Sequence, residues 1–173
     1  MSSSSTNKQP LLIDRPLHSF AILGPTPSLA SSTNFSAILG GGCVELVNCS
    51  DNDGAVVDSL SLVATQANTS QVAVLFFISS SPTIFGITET NTAVVASAIV
   101  QSGAPGDRTN VSLPALCVPV PNLGGQTSPT EVSKKNTGLY VPAGLLLYCG
   151  LNTAIVAPTP ATKVNVFAQG GFF

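Results

Sequence analysis

Strand-length apolar runs separated by turn-forming clusters recur from residue 35 to the end of this sequence, and that punctuation leaves little room for any fold but an all-β one. Breakers stand at Gly40-Gly41-Gly42, Asn52-Asp53-Gly54, Ser79-Ser80-Ser81-Pro82, Gly103-Ala104-Pro105-Gly106 and Val141-Pro142-Ala143-Gly144, with a longer Pro- and Gly-containing stretch over 119–125. Gly reaches backbone angles that other residues avoid and Pro removes a hydrogen-bond donor, so each cluster ends a strand. Between them lie 44–47, 56–64, 72–78, 93–100, 111–118, 145–151 and 164–167, rich in the β-branched residues that suit a pleated surface. The pattern predicts roughly seven to nine strands, the number a sandwich uses.

The faces of some strands can be assigned from alternation. In 56–64, Leu60, Leu62 and Ala64 fall on one side and Ser59 and Ser61 on the other, as in a strand with one buried face. The run 72–78 has no polar face, which predicts a central strand covered on both sides. Its outer face is a candidate contact with another subunit, and Phe76 and Phe77, the largest side chains of the run, are the residues proposed for it. The stretch 93–100 is Ala-rich enough for a helix, yet three valines and an isoleucine favour a strand, preceded at most by one helical turn.

At 173 residues the chain suits one domain, which at that size buries roughly 70% of the surface exposed by the unfolded chain. The expected organisation is an extended N-terminal arm over residues 1–20 followed by a single β-sandwich over 21–173. The arm follows from a Ser-rich start and from Pro10 and Pro16, which flank a short apolar run and disfavour helix. Leu11, Leu12, Ile13, Arg15 and Leu17 are its candidate contacts with a neighbour. Deleting residues 1–18 is then expected to leave the sandwich folded. The terminal Phe172 and Phe173 also need an apolar seat, in their own core or on another subunit.

Charge separates the function classes. Only 8% of residues are charged while 44% are hydrophobic, and the formal net charge is −2. A neutral surface of hydroxyls and amides repels neighbours weakly and favours assembly, so a homo-oligomer is expected. Nucleic acid is not an expected partner, because Lys134 and Lys135 are the largest basic cluster and phosphate binding needs more. No apolar run approaches the ~18 residues of a membrane-spanning helix. The Met-Ser-Ser-Ser-Ser-Thr-Asn-Lys start lacks the pattern of a cleaved export signal.

Catalytic chemistry has few candidates, and neither enzyme activity nor a cofactor is expected. His18 is the only histidine and falls in the proline-flanked arm, where the rigid support of a catalytic triad is poorest. Asp51 and Asp53 are too close in one turn to flank a sugar. The spacing after Asp51 puts Val56 and Leu62 where a calcium loop of the EF-hand type needs glycine and glutamate, so a turn is the better reading. Cys43, Cys49, Cys117 and Cys149 lack paired zinc-site spacing and sit among apolar neighbours, as buried thiols do. A bridge between Cys43 and Cys49 stays open, and would close a short loop worth about 2 kcal/mol.

Three stretches carry a resemblance: the opening NKQPLLIDRPLH, the VPAG-x-x-LY turn and strand, and the terminal V-x-VFAQGGFF. Together they resemble small virion proteins of tailed bacteriophages, especially those infecting cyanobacteria. The resemblance implies a jelly-roll-like sandwich on the outer capsid surface, made in the host cytoplasm. It implies a cement or decoration protein that binds the major capsid protein, commonly as a trimer over capsomer junctions, with no catalytic residue. A tail, connector or baseplate component is the second structural possibility, and a carbohydrate-binding sandwich the possibility from another class. The last is disfavoured by the absence of Trp and by only two Tyr, which leave few platforms for sugar stacking.

Overall fold

The computed structural model of this chain describes residues 15–24, 43–67, 71–114, 138–152 and 163–173. Among the described residues the strands are β1 (Arg15–Leu23), β2 (Val44–Asn48), β3 (Gly54–Ala64), β4 (Val72–Ser79), β5 (Thr92–Val100), β6 (Arg108–Asn110), β7 (Leu139–Pro142), β8 (Leu146–Leu151) and β9 (Val164–Phe172). The segment 93–100 is thus a strand, β5, and its β-branched content prevails over its alanines. A 3-10 turn, Ile84–Gly86, lies between β4 and β5.

Two antiparallel sheets pack face to face. One has the order β1-β9-β3-β6, with β7 also on β3; the other has the order β2-β8-β4-β5. β6 pairs with Ser61–Val63 and β7 with Gly54–Val57, so the two follow one another along the same side of β3. They form one strand line, interrupted by an excursion that leaves after Val111, whose N–H still donates to the Leu60 carbonyl at 2.9 Å. The base of the excursion is closed where the Gly138 N–H donates to the Pro114 carbonyl at 2.9 Å. The strand expected over 111–118 is not formed over 111–114; the strand here is β6, which ends at Asn110, and 115–118 lie outside the described residues.

The core between the sheets follows the alternation. Leu60, Leu62 and Ala64 of β3, Val164, Val166 and Ala168 of β9, and Leu17, Ala21 and Leu23 of β1 form one wall. Val72, Val74 and Phe76 of β4 with Leu147, Cys149 and Leu151 of β8 are buried in the same core. Each of the large side chains contributes about 1.5–3 kcal/mol by leaving water. β9 lies so close to β3 that a Cβ at Gly170 would run into the Val56 carbonyl, which is why this register needs glycine there. Gly144, with φ at +76°, makes the expected turn between β7 and β8.

Two expectations need correction. β4 is central and apolar on both faces as expected, but its outer face is not open to another subunit. Leu75 and Phe77 form a second buried cluster with Leu146 and Tyr148 of β8, Cys43 and Ile87, and Ile84 packs against it. Phe76 points into the main core, and both phenylalanines are fully buried. The second correction concerns the arm. From Arg15 onward the chain is a sheet strand, registered with β9 from Arg15↔Phe172 to Leu23↔Val164. Leu17 is a core residue, so a deletion through residue 18 would strip four of the nine residues of β1. Residues 1–14, including Leu11, Leu12 and Ile13, lie outside the described residues.

Candidate interaction surface

The groups that could carry chemistry are dispersed. His18 is exposed on β1, Asp51 and Asp53 are exposed in the turn before β3, and no three His, Cys, Asp or Glu side chains converge among the described residues. Cys43, Cys49 and Cys149 are thiols, with Cys43 in the second cluster and Cys49 and Cys149 in the main core. The bridge between Cys43 and Cys49 is not formed, because the two sit in different apolar clusters. Burial pushes the Cys49 thiol up to about 11, and burial followed by the proximity of Cys43 raises that of Cys149. Both therefore stay protonated and poorly nucleophilic at neutral pH.

Exposed apolar side chains are instead the most prominent surface feature. Directly paired residues in an antiparallel ladder share a face, and Phe20 of β1 pairs with Phe167 of β9 on the outer side of the first sheet. Phe20 is 66% exposed, and Ile22 stands two residues further along the same face. Leu17, Ala21 and Leu23 fill the inner side, so β1 is apolar on both.

A third exposed aromatic stands on the opposite side of the sandwich. Phe85 occupies the 3-10 turn and is 83% exposed. The segment that carries it is held by a dense set of hydrogen bonds. The Asn91 side-chain amide donates to the Gly86 carbonyl at 2.8 Å, and its oxygen accepts from the Thr88 N–H at 2.9 Å. The Gly86 N–H donates to the Thr83 carbonyl at 3.1 Å, and the Ser81 hydroxyl to the same carbonyl at 2.7 Å. Beneath, the buried Tyr148 hydroxyl donates to the Ser81 carbonyl at 3.0 Å. With Ile84 and Ile87 turned down onto the second cluster, the turn leaves Phe85 facing outward.

The terminal phenylalanines find their seat within the chain. Phe172 packs against the main core, with the Arg15 guanidinium 4.7 Å from its ring centroid. The same guanidinium donates to the Asn52 side-chain oxygen at 3.1 Å. The Phe173 N–H donates to the Gly54 carbonyl at 3.0 Å, and its ring lies 6.3 Å from that of Tyr140. Of the expected contacts, Arg15, Phe172 and Phe173 thus meet at one end of the sandwich, partly exposed, whereas Leu17, Phe76 and Phe77 are interior. Phe20, Ile22, Phe85 and Phe167 were not singled out from the sequence. Phe85 sits among the turn formers that mark a loop, where an aromatic has no strand to explain it.

The fold and surface together define an antiparallel two-sheet sandwich that displays aromatic side chains on both outer sides. No protein-family model matches the sequence, and neither a curated protein nor a solved structure matches it.

Proposed function

We propose that this chain is a non-enzymatic virion structural protein, a cement or decoration protein that binds the major capsid protein lattice from the outside. The observation that carries the proposal is Phe85, an exposed aromatic on a turn braced by hydrogen bonds, on a surface with little charge. Such a side chain loses little conformational entropy on docking and belongs to the large apolar type that fills partner pockets. The low charge supports a surface that is covered in use.

Strand order supports reading the sandwich as a jelly roll. With β6 and β7 counted as one interrupted strand, the chain alternates between the sheets at every step except the β4 to β5 hairpin, leaving four strands in each. That architecture serves virus capsid proteins, and lectins and cupins as well, so the capsid assignment leans on the surface and on the three resembling stretches. In this proposal residues 1–14 supply the arm that lies on a neighbour, and the protein acts as a homo-oligomer, a trimer by the resemblance.

The test is binding to purified capsids stripped of the protein. Phe85→Ser is expected to weaken binding at least about tenfold, the loss of a hot-spot residue worth more than about 1.4 kcal/mol, with the unfolding midpoint unchanged. Removal of residues 1–14 is expected to weaken it further. Undiminished binding by both variants would overturn the proposed contacts, and failure of the intact protein to bind any capsid would overturn the assignment.

A further inference from the structure

Among the described residues four edges bound the two sheets, and the chain treats one of them differently from the rest. An open edge presents unpaired N–H and C=O groups, and natural sequences blunt it with charge, proline, short length or a bulge. β1 carries Arg15, Pro16 and His18. β2 has five residues, one of them Glu45, and a register shift between Glu45 and Val47. The line of β6 and β7 consists of a three-residue strand with Arg108 and a four-residue strand ending in Pro142.

β5 has none of the chemical devices. It runs for nine residues, TAVVASAIV, without a charge or a proline, and among the described residues its ladder partner is β4 alone. A register shift between Phe76 and Phe77 leaves Val95 as an extra residue, so the bulge protects one half of the edge and leaves Ala96–Val100 regular. Within that run Ala96 and Ala98 pack on the core, and Ile99 is 48% exposed.

We infer that the Ala96–Val100 edge of β5 pairs with the same edge of a second copy of this chain. Antiparallel pairing about a two-fold axis at Ala98 sets Ala96 opposite Val100 and Ser97 opposite Ile99, and the two four-stranded sheets join into one of eight strands. The run is its own complement. It is neutral, so like copies do not repel; its side chains at the centre are small, so the backbones can approach; and each outward donor meets an acceptor of the other copy. A charged or proline-bearing segment would lose these fits. The contact is independent of the capsid proposal, because it needs only the protein itself, and where trimers form it would join them in pairs.

The experiment uses the full chain in solution. Sedimentation is expected to give a mass that Ile99→Lys halves without moving the unfolding midpoint; should that variant not fold, Ser97→Lys makes the same test at a neighbouring position of the outer edge. The double variant S97C/I99C, oxidised mildly, is expected to yield a 97-to-99 disulfide between chains, found by mass spectrometry and absent from the unmodified protein. Hydrogen exchange at 96–100 should slow as concentration rises. A mass indifferent to the lysine, or a missing intermolecular link, would overturn the inference. Protection of the 96–100 amides that point away from β4 which persists in the dilute monomer would assign the edge to the chain's own residues, and such protection appearing only on adding capsids would assign it to a capsid protein; either outcome also overturns it.

Discussion

Tyr148 shows how a single polar atom can organise an apolar cluster. Its ring is fully buried beside Phe77 and Leu146, and its hydroxyl reaches the Ser81 carbonyl. Burial, and then the nearby Glu45 and Cys43, raise the tendency of the phenol to keep its proton, which secures the donor. Tyr148→Phe leaves a buried carbonyl without that partner and is expected to cost about 1–3 kcal/mol, measured by urea unfolding. The thiols give a pH prediction. Cys49 is protonated more firmly in the folded chain than at its ordinary value of 9.0, so its contribution to stability is fully present below about pH 9 and is lost as pH rises towards about 11. Unfolding midpoints should fall across that window, and Cys49→Ala, although less stable throughout, should fall less steeply; parallel slopes would contradict this account. The buried state of these cysteines was legible from their apolar neighbours. The role of Phe77 was not, because an apolar outer face looks the same in sequence whether another subunit or the chain's own loop covers it.

At the scale of elements, the segment between β4 and β5 is a latch with Asn91 as its pin. Asn91→Ala removes both the hydrogen bond donated to the Gly86 carbonyl and the acceptor for the Thr88 N–H, and should loosen the turn that presents Phe85. The expected outcome is capsid binding weakened nearly as far as by Phe85→Ser, together with faster hydrogen exchange at residues 86–88; unchanged binding and exchange would show the turn to be held otherwise. Most strands were legible from β-branched runs and period-2 alternation, as Leu60, Leu62 and Ala64 in β3 illustrate. β1 was not. Pro10 and Pro16 suggested an arm, but proline is tolerated in an edge strand, and Pro16 stands one residue inside β1 opposite Gly171. The shared line of β6 and β7 was hidden for another reason. Pairing to β3 is a long-range relation, and Leu139 has no local feature that places it in line with Asn110.

For the molecule as a whole, scarcity of charge acts twice. It leaves few side chains for chemistry, and it leaves a surface on which Phe20, Phe167 and Phe85 stand with little to repel a partner. The all-β sandwich was legible because turn formers and strand runs alternate along most of the chain. The displayed aromatics were not, since exposure depends on which side of a finished sheet or turn a residue occupies. We propose that the protein works by being covered, on a capsid by way of Phe85 and residues 1–14, and by a second copy along β5. The most direct measurement is a reconstruction of the virus particle with this protein labelled. Density is expected on the outer lattice, in register with the major capsid protein and with the 80–91 turn or the N-terminal residues at the contact. Labelled density confined to the tail or baseplate, or absent from the particle, would contradict it.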